Sequence, residues 1–290
     1  MRGFVPNYSM VSPKNLSEAL SLLEKNPSLK PFAGGTDIMV LFEAGKLEAK
    51  EFLDINQLSE LKKIKVEPQH IEIGALATYT DIAQNPEIQK EFPMLVQAAT
   101  LTGAVAIQNR GTIGGNIANS SPAADTPPAL LAYDAALILT SSKGERQISI
   151  SQFFKAYKKT ALEKGDLITK VILKRNFQPT DVHYYHKVGT RKAQAISKVC
   201  FAAFANMENQ KILNVRIGLG SVGPTSQRAL QTEALLKGQV VNDSLIQKAR
   251  ASLAQEIVPI DDIRSDSAYR LDVACNLLED FLHGLARRPS

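Results

Sequence analysis

The chain has 290 residues, 44% hydrophobic and 22% charged, with only two cysteines. That length exceeds one typical domain and forms a core without covalent staples, and the composition excludes collagen-like, coiled-coil and disordered classes. The net charge of +5 is mild, and its densest basic groups, Lys62-Lys63, Lys158-Lys159 and Arg287-Arg288, read as solvated surface, which argues against a nucleic-acid partner. Cys200 and Cys275 fall short of the ligand set of an iron–sulfur cluster and of a disulfide framework. The four histidines are scattered, so no metal site is expected. Met1 to Met10 carries neither an apolar signal core nor a twin-arginine pair. The longest apolar stretch, Ala129 to Leu139, is interrupted by Asp134 and is too short to span a bilayer. A cytoplasmic protein without membrane insertion is expected.

Three units are expected: 1–57, 58–177 and 178–290. In the first, Asn15 precedes a helical face of Leu16, Ala19, Leu20 and Leu23, with Glu18 in the capping-box position and Asn26-Pro27 as the stop. A strand at Leu29 to Phe32 leads into the loop Ala33-Gly34-Gly35-Thr36-Asp37. A second helix starts on Thr36 or Asp37 as N-cap and stops at Gly45, and Glu51 to Ile55 is a strand.

In the second unit His70 to Ile73 alternates like a strand. Asp81 to Leu101 is helical, broken around Asn85-Pro86 and Pro93. From Arg110 to Asp125 runs a segment rich in backbone-permissive residues, including Thr112-Ile113-Gly114-Gly115-Asn116. A helix resumes at Thr126, with Pro127 near its first position and Leu130, Leu131 and Tyr133 on one face. Ala136 to Thr140 and Arg146 to Ile150 form a hairpin, and Leu167 to Leu173 is a strand. In the third unit strands at Val182 to Val188, Val199 to Met207 and Ile212 to Leu219 precede helices at Gln227 to Leu236, Ser244 to Gln255 and Ser267 to Leu285. This is an α+β order.

The two Gly-Gly segments stand out because glycine accepts positive φ and lets a ligand approach the backbone, so successive N–H groups can converge on an anion. One such segment alone is an ordinary turn. Two of them suit a ligand with two phosphates clamped between two units, with the Thr36 and Thr112 hydroxyls as further donors. Asp125 repels phosphate and suits a ligand hydroxyl such as a ribose; the competing reading is a plain N-cap. Gly218-Leu219-Gly220-Ser221-Val222-Gly223 fits the dinucleotide fingerprint, but the strand that should follow is only Val240-Val241. A strand end turning into a helix fits it better. His183 and His186 fall on opposite faces of a strand. Cys200 and Cys275 read as core residues. Tyr184-Tyr185, Lys187 and Arg191 either flank a flat ring or decorate an edge strand. No nucleophile or acid–base pair stands out, so any chemistry belongs to a cofactor.

With these residues in view, the chain resembles the FAD-binding subunit of molybdenum hydroxylases, the family of xanthine dehydrogenase and the carbon monoxide dehydrogenase medium subunit. The likeness rests on Pro31 to Asp37, Thr112 to Asn116 and Pro122 to Leu130, then Lys187 to Ala193, Gly220 to Thr225 and Ser267 to Arg270. It implies an α+β fold: two subdomains of the vanillyl-alcohol-oxidase (PCMH) type and a smaller α+β C-terminal domain. It implies FAD, with Ala33, Gly34, Gly35, Thr36 and Asp37 and Thr112, Ile113, Gly114, Gly115 and Asn116 around the pyrophosphate. Asp125 would meet a ribose hydroxyl, Ile168 and Lys187 would lie at the cofactor, and Tyr185 would pack on the flavin ring. Tyr184-Tyr185-His186-Lys187 aligns in more than one register. The implied role is an electron-transfer subunit receiving electrons through iron–sulfur and molybdopterin-binding partners and passing them to NAD or another acceptor. The alternatives are a stand-alone flavin oxidase, which would be reduced by substrate without partners, and a non-enzymatic nucleotide-binding module. Asp125→Ala is expected to weaken FAD without unfolding the chain, unless Asp125 is only a cap.

Overall fold

The computed structural model describes residues 7–287, so the N-terminal residues 1–6 and Arg288 of the last basic pair lie outside it. The first unit comprises β1 (Ser9–Val11), α1 (Leu16–Lys25), β2 (Lys30–Phe32), α2 (Thr36–Glu43) and β3 (Glu51–Asp54), with the strands parallel in the order β1-β3-β2. Asn15 accepts from the Glu18 amide at 2.9 Å, but Glu18 reaches back to the Lys14 amide rather than to Asn15, a capping box displaced by one residue. At the other end of α2 the Gly45 N–H donates to Phe42 O and the Lys46 N–H to Leu41 O, with Gly45 at φ 65°, a Schellman stop. The start of α2 departs from expectation. Gly35 at φ 75° is the N-cap, and Thr36 and Asp37 are already helical. The chain enters α2 through the left-handed region, which glycine takes at no steric cost.

The second unit begins with a 3-10 turn (Ser59–Leu61), β4 (Ile64–Val66) and β5 (His70–Gly74). The prolines break the helical stretch as expected into α3 (Tyr79–Gln84), α4 (Pro86–Glu91) and α5 (Pro93–Leu101), followed by α6 (Val105–Gln108). The second glycine segment is not a loop. It holds α7 (Ile113–Asn119), capped by the Thr112 hydroxyl, and α8 (Thr126–Ala132) follows. Then come β6 (Ala136–Ser141), β7 (Gly144–Ser149), α9 (Ile150–Phe153), the small hairpin β8 (Phe154–Ala156) and β9 (Lys159–Thr160), and β10 (Leu167–Lys174). The sheet is antiparallel in the order β4-β5-β10-β6-β7. Its buried face and α3–α8 enclose a core with Tyr133, Phe92 and Phe153 among its largest members.

The third unit is a sheet of β11 (Val182–Val188), β12 (Val199–Glu208), β13 (Lys211–Gly220) and β14 (Gln227–Arg228), then α10 (Leu230–Leu236), α11 (Asp243–Glu256) and α12 (Ser267–Ala286). The helix expected from Gln227 starts later because Gln227 and Arg228 pair with Leu219 and Gly218. β12 is buried on both faces and divides its side chains by pleat. Cys200, Ala202 and Phe204 join the core of the second unit, while Phe201, Ala203 and Ala205 face the C-terminal helices. A Cβ on Gly218 would stand 2.1 Å from Pro128 O, so this glycine admits α8 against β13 and the fingerprint match is a packing feature. His183 joins an aromatic cluster with its Nδ1 3.0 Å from the Tyr133 hydroxyl, and His186 is exposed.

Candidate cofactor site

The first two units meet along a cleft of about 350 Å³, within the roughly 300–1,000 Å³ usual for ligand pockets. One wall is the β2–α2 turn, Ala33 to Asp37. Facing it are Thr112, Gly114, Gly115, Asn116 and Asn119 of α7 and its cap. Leu23, Pro27 and Leu29 and the approach to β10, including Leu162, Leu167 and Ile168, make an apolar end. Ala75, Leu76 and Tyr79 complete the lining.

The two glycine pairs play different parts. In the first, the N–H groups of Gly34, Gly35, Thr36, Asp37 and Ile38 donate to no acceptor among the described residues. Consecutive unpaired backbone donors beside a cleft require a partner from outside the protein, either water or an anion. A Cβ on Gly34 would fall 1.8 Å from Arg110 O, so the turn lies directly against the second unit. In the second pair the donors are already used. Ile113 N donates to Ala77 O at 3.0 Å, Gly114 N to Ala75 O at 2.8 Å, Gly115 N to Thr112 Oγ1 at 3.2 Å and Asn116 N to Thr112 O at 3.0 Å. The expected second anion nest is therefore replaced by shape. Gly114 is glycine because a Cβ would meet that of Ala75 at 2.6 Å. A Cβ on Gly115 would meet only Thr112 Oγ1 at 2.8 Å and otherwise open space.

Asp37 has its side chain open to the cleft yet is closely surrounded by protein, and both facts hold because the cleft itself is the solvent it touches. Burial raises its carboxyl above the ordinary value, while Lys158 and a hydrogen bond with Asn119 oppose the shift. The sequence reading missed Tyr79. Its ring packs where a Gly111 Cβ would stand, 2.7 Å away, and burial with the nearby charges of Asp37 and Asp125 raises its phenol, keeping it a donor. Its position after the cap Thr78 marks a helix start and carries no functional signal.

Four expected site residues lie off this cleft. Ile113 is fully buried in the core. Asp125 occupies the cap position of α8 without capping it. Its carboxylate takes Lys187 Nζ at 2.6 Å and Ser197 Oγ at 2.6 Å, which joins the second unit to the third. Burial raises the Asp125 carboxyl against the pull of Lys187 and Ser197. Lys187 also donates to Leu101 O at 2.8 Å. Tyr185 is buried, donating to Asp125 O at 3.0 Å, with Cys200 Sγ 3.2 Å from its hydroxyl. The side-chain cap reading of Asp125 therefore fails, and its carboxylate instead forms an ion pair between units.

A glycine-walled cleft between the first two units suits an extended anionic ligand. Residues 6–174 match the FAD binding domain in molybdopterin dehydrogenase, and residues 184–285 match the CO dehydrogenase flavoprotein C-terminal domain. The chain is 32% identical over 273 residues to the glyceraldehyde dehydrogenase medium chain of Sulfolobus acidocaldarius, covering 93% of this chain and 95% of that one. It is 36% identical over 201 residues to the nicotinate dehydrogenase FAD-subunit of Eubacterium barkeri, covering 67% of each. It superposes with a TM-score of 0.91, at 27% identity, on a chain of Hydrogenophaga pseudoflava carbon monoxide dehydrogenase, covering 96% of each. The chain therefore belongs to the FAD-binding medium subunits of the molybdenum hydroxylases, and FAD is its cofactor. Its relatives are subunits of multi-subunit dehydrogenases.

Proposed function

We propose that FAD lies in the cleft with its diphosphate on the unpaired N–H groups of Gly34 to Ile38, the observation that carries this reading. The residues fit the group: the first turn offers donors without acceptors, and Gly115 leaves on the opposite wall the space a side chain would fill. Ala33, Thr36, Asp37, Thr112, Gly114, Asn116 and Ile168 complete the cofactor's surroundings. Asp125, Tyr185 and Lys187 adjoin them and bind the third unit to the second, and Ile113 supports α7 from the core. The three units act as two cofactor-binding subdomains, 1–57 and 58–177, and a C-terminal domain, 178–290.

In this reading the chain is the flavin platform of a complex whose partners carry iron–sulfur clusters and a molybdopterin site, with NAD or another carrier as final acceptor. FAD bound here supplies the exchange between one-electron and two-electron carriers. The protein's part is to bind and orient it. Cys200 lies on β12 and Cys275 on α12, both buried, and in this reading the cluster ligands come from partner chains. No helix among the described residues is long and apolar enough to cross a membrane. A cytoplasmic complex accords with this.

The test is FAD uptake by the purified chain and its Gly35→Val variant, followed by flavin reduction in the complete complex with its organic substrate or with NADH. Uptake lost on Gly35→Val supports the turn as the diphosphate seat, because a β-branched residue cannot adopt φ 75° cheaply and its Cβ would meet the Phe32 ring at 2.5 Å. Unchanged uptake refutes it. Flavin reduction by the organic substrate without partner chains would favour a stand-alone oxidase instead.

A further inference from the structure

Three lysines without an assigned role lie in or beside the cleft. Lys30 on β2 and Lys164 before β10 line it. Lys158, one of a basic pair that reads as plain surface in the sequence, sits at the tip of the β8–β9 hairpin and touches the lining residue Asn119. Its Nζ donates to Asn119 O at 2.8 Å and to Asn119 Oδ1 at 2.9 Å. Among the described residues none of the three has a carboxylate oxygen within 4.0 Å of its ammonium. Asp166 and Glu163, the acidic groups beside Lys164, are both engaged by Arg146, at 2.5 Å and 3.6 Å.

Lys158 adopts φ 56°, a left-handed conformation that costs a residue with a Cβ free energy. Burial lowers its ammonium, Asp37 opposes that shift, and the like charge of Lys30 adds a smaller lowering. Backbone strain and desolvation at one position are unfavourable for the chain by itself, and Asp37 offsets only part of the cost. Around a doubly charged anion the same arrangement becomes favourable.

The geometry points to Lys158 and Lys30, one from each unit, as the cations that neutralise the FAD diphosphate and draw the two units together over it. The inference rests on the FAD assignment above and adds what that assignment lacks, since the glycine turn offers neutral donors and no positive side chain. Lys158 spends two donors on Asn119 and keeps a further N–H for a phosphate oxygen. The Lys30 ammonium makes no hydrogen bond within the described protein and lines the cleft from the side of the first glycine turn. The Asp37 carboxylate beside the turn opposes the phosphates, which adds to the need for cations there.

The test is a titration of the full chain with FAD, read by flavin fluorescence at several salt concentrations. It compares wild type, Lys158→Met, Lys158→Arg and Lys30→Met, with thermal unfolding of each apoprotein alongside and riboflavin as a ligand without phosphates. Each Met variant is expected to weaken FAD by about tenfold or more, the scale of one charge-assisted hydrogen bond, and to flatten the salt dependence. Lys158→Arg should restore most of the affinity, and riboflavin should bind all four alike. Wild-type FAD affinity in Lys158→Met overturns the proposal. So does a loss of affinity that follows apoprotein stability and is not restored by Arg, which would make Lys158 a plain cap of α7. Failure of the wild-type chain to take up FAD would instead overturn the underlying assignment, so the two failures are separable.

Discussion

Replacing Gly34 by alanine tests whether the seam between the two cofactor-binding units is as tight as the structure makes it. The added Cβ would stand 1.8 Å from Arg110 O, so the walls must part by about 1.6 Å to reach the 3.4 Å of an ordinary contact. Overpacking usually costs about 1–3 kcal/mol, and a clash with a backbone carbonyl lacks the relief of a rotamer change, so the cost is about 3 kcal/mol. At roughly 2–4 °C per kcal/mol the apoprotein Tm falls by about 6–12 °C. FAD affinity falls as well, because the displaced wall is the one that carries the unpaired N–H groups. Gly115→Ala is the control. Its methyl displaces only the Thr112 hydroxyl, a cap worth about 1 kcal/mol, against a helix-propensity gain of about 0.5–1 kcal/mol. Apoprotein stability should therefore hold within about 1 kcal/mol while FAD affinity drops, since the methyl stands in the cleft. Calorimetry of the apoproteins with FAD titrations of both variants separates the two effects. An unchanged Tm in Gly34→Ala refutes the close seam, and unchanged affinity in Gly115→Ala refutes contact between that wall and the cofactor.

Two further outcomes follow from Asp125 and Asp37. Asp125→Ala should destabilise the chain by about 3–5 kcal/mol, because it strands Lys187, whose side chain is only 6% exposed. Adding Lys187→Met should recover much of the loss in denaturant unfolding, and no recovery would sink the ion-pair account. The expectation from sequence is weaker FAD binding without unfolding; the ion pair adds a loss of stability to it. Asp37 has a native carboxyl raised above its ordinary value, so the folded chain holds that proton more tightly than the unfolded one. The stability it contributes is complete below the ordinary value and is lost as pH rises through the raised one. Asp37→Asn apoprotein should match wild type in acid and exceed it near neutral pH. Equal denaturation midpoints near neutrality would contradict this.

Local signals carried much of the architecture because local physics decides those features. Asn15, Asn26-Pro27, Gly45, Pro86 and Pro93 start or stop helices within one turn of themselves, and each does so in the structure. Asn209 and Gln210, at φ 49° and 62°, make the two-residue turn between β12 and β13. The sequence missed α7, because a helix with two glycines in its first turn has poor intrinsic propensity. Thr112 and the carbonyls of Ala75 and Ala77, distant in sequence, supply the partners that its first N–H groups need.

The lesson for the candidate site is similar. The residue types at Gly34-Gly35 and Gly114-Gly115 and the in-order likeness over nearly the whole chain were enough to name the family and its cofactor. Which glycine frees its N–H groups, and which merely makes room, depends on the atoms across the seam: Arg110 O for Gly34 and Ala75 for Gly114. The pairing of Asp125 with Lys187, the enclosure of Tyr185 and the approach of Lys158 to Asp37 likewise join residues far apart in the chain. Capping, turn chemistry and strand alternation act over a few residues and are written in sequence. Charge neutralisation and close backbone approach act through space, and only the packed chain brings their partners together.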